Sequence, residues 1–138
     1  MGKSISNVMT KNPRTVTADS TVAEAARAMR DEDAGVVPIV EGARVLGVIT
    51  DRDIAIRVVA EGKDPQGTKV IEIASKELIT IDPQQDLDEA LRLMAQHQVR
   101  RLPVVEEDGN LVGIVAQADI AKHGDEAKIG EVVEKISQ

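Results

Sequence analysis

Apolar residues recur at helical spacing in two stretches of the chain, Val22, Ala25, Ala26 and Met29, then Leu87, Ala90, Leu91 and Met94. Each set falls at i, i+3, i+4 and i+7, which predicts one apolar helix face. Thr21 with Glu24, and Asp86 with Glu89, have capping-box spacing at the two helix starts. Ahead of each helix lie a short apolar turn, Ile5–Met9 or Val70–Ala74, and an extended stretch, Arg14–Thr17 or Leu78–Asp82. After each come two β-branched runs, Val36–Val40 with Val45–Thr50 and Leu102–Glu106 with Leu111–Ala116. Their short glycine-containing joints predict hairpins. A further helix then starts at Asp51 and Asp53, or at Asp119, with Gly62 and Gly124 as its stops.

The chain therefore states one pattern twice. Thr21, Val22, Glu24, Met29 and Pro38 stand where the second copy has Asp86, Leu87, Glu89, Met94 and Pro103, and a longer second hairpin joint then matches Gly47 with Gly113 and Asp53 with Asp119. Each copy reads strand, helix, strand, strand, helix, so the expected class is α/β in the α+β sense. A unit of this size cannot bury its apolar face alone, so the copies are expected to pack on each other. The crevice between them is the natural ligand site. The half-units are placed at residues 5–62 and 68–124, joined by Glu61–Thr68. An amphipathic helix is expected over 125–138, where Ile129, Val132, Val133 and Ile136 share one face.

Composition narrows the function classes. At 138 residues the chain has room for one module with a single core. It contains no Cys, so thiolate metal sites and thiol nucleophiles are excluded. His97 and His123 lack zinc-ligand spacing, and no metal is expected. With no Phe, Tyr or Trp, the core must be aliphatic and a nucleobase must rest on aliphatic side chains. A net charge of −7 argues against nucleic-acid and anionic-membrane partners. No apolar run approaches the ~20 residues of a spanning helix, and a cytoplasmic protein is expected. The positive partners of an anionic ligand must be local, with Arg52, Arg100, Arg101 and Lys122 as candidates. Asp31–Asp33 and Glu106–Asp108 lack a calcium-loop pattern and read as solvated turns.

The strand GVIT runs directly into DRDI, setting Thr50 and Asp53 at a strand-to-helix junction. Helix N–H groups and a Thr hydroxyl suit phosphate, and a carboxylate with two acceptor oxygens suits a ribose diol. The same spacing also describes an ordinary helix cap with an acidic first turn. In the second copy Asp119 persists but Thr50 is replaced by Ala116, which can neither cap nor hold phosphate. Two unequal sites are expected, the first stronger. Arg100 and Arg101 suit phosphate through the guanidinium fork, and equally suit surface pairing with the abundant carboxylates. No nucleophile-and-base set is recognisable, so no catalytic residue is assigned.

The paired lines GVVPIVEGARVLGVITDRDI and VRRLPVVEEDGNLVGIVAQADI, with the Thr50 and Asp53 junction, resemble tandem cystathionine β-synthase (CBS) domains, the arrangement called a Bateman module. The similarity runs from about Ile5 to Gly124 and is greatest to stand-alone bacterial and archaeal pairs of the mycobacterial hypoxic-response type, especially in TDRDI and HQVRRLPV. It implies two β-α-β-β-α half-units packed with pseudo-twofold symmetry around two clefts for AMP, ADP, ATP or S-adenosylmethionine. It implies a first cleft of Thr15, Val16, Thr17, Val37, Pro38, Thr50 and Asp53. The second cleft so implied comprises Thr80, Ile81, Asp82, Leu102, Pro103 and Asp119, with Arg100 and Arg101 toward phosphate. The departure at Ala116 bears on phosphate binding there. The expected function is a regulatory nucleotide sensor, not an enzyme, forming homodimers and signalling to a regulated protein. The alternative is an interaction module with no nucleotide, in which Thr50 and Asp53 serve as caps.

Overall fold

The computed structural model describes residues 3–75 and 77–123; Gly124 and the helix expected over 125–138 lie outside the described residues. The chain runs α1 (Ile5–Val8), β1 (Thr10–Lys11), β2 (Val16–Thr17), α2 (Val22–Glu32), β3 (Val36–Glu41) and β4 (Arg44–Thr50). It continues through α3 (Asp51–Ile54), a π-helical turn (Ala55–Val59), α4 (Val70–Ile73), α5 (Leu87–His97), β5 (Arg101–Val105) and β6 (Leu111–Ala116). Residues 117–123 are helical. The fold is α+β, as the pattern predicts.

Local chemistry accounts for the two long helices. The Thr21 hydroxyl accepts from Glu24 N at 3.2 Å, and the Asp86 carboxylate accepts from Glu89 N at 2.8 Å, each satisfying an otherwise orphaned donor. Glu89 turns outward to Arg92 at 2.6 Å, and that hydrogen bond holds its carboxyl below the ordinary value. Both helices stop at a left-handed residue, Asp33 (φ 50°) and Gln98 (φ 55°). Their buried faces are turned relative to the predicted stripe. Ala26 is exposed and Leu91 is 36% exposed, whereas Ala28 joins the first core and Leu93 packs against the second. The covered stripe thus follows i, i+3 and i+7 and leans to i+6, because the sheet lies on that side.

The sheets, ordered β2-β3-β4 and β1-β6-β5, each use strands of one hairpin, but the second takes its edge from the first copy. Thr10 pairs with Ile114 and Lys11 with Gly113. The opening turns are exchanged in the same way: Ile5 of α1 is fully buried in the second core, and Val70 and Ile73 of α4 are buried in the first. Backbone bonds repeat under exchange of the copies. Ile5 N donates to Gln85 O and Val70 N to Ser20 O, both at 2.8 Å. Val45 N reaches Gly109 O and Leu111 N reaches Ala43 O across the bridged pair Arg44 and Asn110, which marks the pseudo-twofold axis. Each half therefore completes its core with a segment of the other. Among the described residues no helix is long and apolar enough to cross a membrane.

Candidate ligand cleft

The two strand-to-helix junctions begin from matching sequence and end in different surroundings. At the first, Thr50 caps α3 by accepting from Asp53 N at 3.1 Å, and Asp53 returns the bond by accepting from Thr50 N at 2.9 Å. Asp53 is 8% exposed. Its carboxylate also accepts from the Ser75 hydroxyl at 3.2 Å, and Arg57 Nη1 approaches at 3.9 Å. Arg57 donates in turn to Ile73 O and Ala74 O, so the cluster ties the exchanged α4 segment to the first half. A carboxylate engaged this way is satisfied within the protein.

At the second junction, Ala116 and Asp119 open onto a cleft of about 320 Å³ between the halves. Its other walls come mainly from the first copy: Thr10, Pro13 and Arg14 before α2, Ala28, Glu32 and Asp33 on α2 and its cap, and Ala34–Val37 leading into β3. Arg101 of β5 and Ile114 of β6 complete it. The volume lies at the lower end for small-molecule pockets. Pro13, Ala28, Val36, Val37 and Ile114 give the lining its apolar part, and half-buried Asp119 lines the same cleft.

Two guanidinium groups border the cleft. Arg14 is tethered through Nη1 to Asp31 at 3.0 Å, and Arg30 Nε holds the same carboxylate at 3.0 Å. The Arg30 hydrogen bond, then that of Arg14, keeps the Asp31 carboxyl below its ordinary value. Arg101 is half-buried, and its guanidinium lies over Gly35, where an added Cβ would stand 2.6 Å from Nη2. Arg100 is exposed, and its carbonyl accepts from Gln117 N at 2.7 Å.

Of the residues implied by resemblance, the structure gathers Val37, Arg101 and Asp119 in this cleft. Thr15 and Thr17 are exposed on the β2 edge, Val16 is in the first core, and Pro38 is fully buried in β3. Leu102 and Pro103 are buried in β5, Thr80 is half-buried, and Ile81 forms a parallel bridge with Val104 along the β5 edge of the second sheet. Asp82 lies apart, bordering an acidic depression with Glu106, Glu107 and Asp108. Arg52 is exposed, and His97 Nδ1 lies 3.2 Å from Glu77 Oε1. Among the described residues no cluster of three or more His, Asp or Glu could hold a metal. The sequence pattern groups each Asp with its own copy and does not point to Thr10, Pro13, Arg14, Ala28, Glu32, Asp33, Ala34, Gly35, Val36 or Ile114. The repeat held the missing signal, since exchanged segments place residues of one copy around the junction of the other.

Comparison with known proteins agrees with this architecture. The CBS domain model matches residues 5–60 and 70–126. The CBS domain-containing protein YhcV of Bacillus subtilis is 47% identical over 118 residues, covering 86% of this chain and 83% of that protein. Hypoxic response protein 1 of Mycobacterium tuberculosis is 42% identical over 117 residues, covering 84% and 81% respectively. The crystal structure of the CBS domain pair of protein MJ0100, in complex with 5′-methylthioadenosine and S-adenosyl-L-methionine, superposes with a TM-score of 0.84. It is 25% identical, over 92% of this chain and 99% of that one.

Proposed function

The chain belongs to the CBS domain family, and we propose that it is a regulatory module that binds an adenosine-containing ligand in the cleft at Asp119. The observation that carries this reading is the convergence of Asp119, Arg101 and an aliphatic wall in one cleft between the two halves. Asp119 accepts hydrogen bonds from the ribose hydroxyls, Val36, Val37 and Ile114 flank the base, and Arg101 meets the phosphate or carboxylate end. The adenosine compounds bound by the MJ0100 pair support this ligand class. Because the walls belong to different halves, occupancy favours one relative arrangement of them, by no more than the ligand's differential affinity for the two arrangements. The module binds and releases its ligand without turnover, acts in the cytoplasm, and passes the change to a second copy or to a regulated protein.

A second reading has its own support in the Thr50 and Asp53 cluster, whose bonds are spent within the protein. Under it the chain is an interaction module without a nucleotide, and exposed Ile56, Val59 and Leu91 meet a partner chain. Titration calorimetry with AMP, ADP, ATP and S-adenosylmethionine separates the two, since the chain has no Trp or Tyr to report binding. Saturable heat with one of the four is expected. No heat from any, at several temperatures, would move the assignment to the interaction module.

A further inference from the structure

Gly35 faces two opposite charges from different elements. A Cβ built on it would lie 2.6 Å from Arg101 Nη2, 2.9 Å from Arg101 Cζ and 2.8 Å from Asp51 Oδ2. No side chain other than hydrogen fits that space without moving them. The platform is fixed from below, because Asp51 N donates to Gly35 O at 3.0 Å. Arg101 belongs to the second half and borders the cleft, whereas Asp51 begins α3 in the first half. The matching position in the second copy is Arg100, so this opening exists on one side only.

From this geometry we propose that Gly35 is a specificity-determining residue of the cleft: its missing side chain leaves the space in which the Arg101 guanidinium is seated to read a ligand's phosphate. The inference rests on the adenosine-ligand reading above and adds to it what distinguishes a nucleotide from its nucleoside. A phosphate within reach of a seated guanidinium gains charge-assisted hydrogen bonds that adenosine cannot form. The Asp51 carboxylate, which lies on the other side of Gly35 and makes no ion pair with Arg101, opposes an incoming anion only through its nearby charge.

Two substitutions move the seat in opposite directions. Gly35→Ala collides with the far ends of two side chains, Arg101 and Asp51, so the fold accommodates it by displacing them, the guanidinium from its seat first because it stands nearest. Asp51→Asn removes the nearby negative charge and keeps the shape. Calorimetric titration of the full chain with AMP and with adenosine gives the ratio of their affinities. Gly35→Ala should lower the AMP preference about ten-fold, with thermal midpoint retained, and Asp51→Asn should raise it several-fold. Arg101→Met should abolish the preference. An unchanged ratio in Gly35→Ala, or equal loss of AMP and adenosine, would overturn the role of Gly35 while leaving the adenosine site standing. Binding of neither ligand to the unaltered chain would overturn the site and this inference together.

Discussion

Asp53 and Asp119 occupy the same position in two copies of one pattern, yet one carboxylate is consumed by the fold and the other faces a cleft. Four changes separate their surroundings. Thr50 becomes Ala116, which removes the cap; Ser75 matches Thr10, Arg57 matches His123, and Ile79 matches Arg14. The first set closes into a hydrogen-bonded cluster that clamps the exchanged α4 segment. The second leaves Asp119 on a cleft bordered by Arg14 and Arg101. The two copies thus carry similar junctions in different surroundings: a closed hydrogen-bonded cluster at the first, and at the second an open cleft, the one proposed above to take the ligand.

The exchanged segments offer the strongest way to break this comparison. Ile5 is fully buried in a core whose other buried residues come from the second copy. Ile5→Ala should cost about 2–5 kcal/mol by urea unfolding, and a loss near that of an exposed position would remove the exchange from the account. Next in size are the matched glycines. A Cβ at Gly113 would stand 2.8 Å from the Thr10 carbonyl and 2.6 Å from Met9 Sδ, whereas at Gly47 it meets nothing within 4 Å. Gly113→Ala should destabilise by about 1–3 kcal/mol through the backbone collision, and Gly47→Ala by less than about 0.5 kcal/mol. Equal effects would show that β1 does not press on β6 in solution.

Cap substitutions sharpen the contrast at the junctions themselves. Thr50→Ala should cost about 1 kcal/mol, and Ala116→Thr should recover up to a similar amount by giving the second junction the cap it lacks. Thermal unfolding of both variants checks the pair, and a neutral Thr50→Ala would remove the structural role assigned to the first site. The smallest effect concerns Asp31, which tethers Arg14 beside the open cleft. Its folded-state pKa lies below its ordinary value, so its ion pairs contribute stability above the unfolded pKa and lose it as pH falls through the folded one. Asp31→Asn should therefore lower the thermal midpoint slightly at neutral pH, with the difference vanishing in acid. A pH-independent difference would reassign the effect from charge to shape.

Much of the fold was legible because its signals are local. Thr21 and Asp86 announce their helices by spacing alone, and the β-branched runs around Gly42 and Gly109 announce their hairpins. The turned helix faces were not legible, since Ala26 and Ala28, or Leu91 and Leu93, are equally apolar and only the sheet decides which are covered. Exchange of α1 and α4 was hidden for a related reason: a periodic pattern shows that Ile5 seeks a core without showing which core. The cleft inherits that ambiguity. Asp119 could be named from the repeat and Arg101 as a local cation and by resemblance, but Arg14, Gly35 and Val36 become their neighbours only through the pseudo-twofold packing.

The most direct test is an AMP titration of the Asp119→Asn protein, followed by calorimetry beside the unaltered chain. Saturable binding to the unaltered chain is expected, with a loss of at least ten-fold in affinity for the variant and the fold intact. Undiminished AMP binding to the variant would contradict that expectation and return the ligand site to the Thr50 and Asp53 junction.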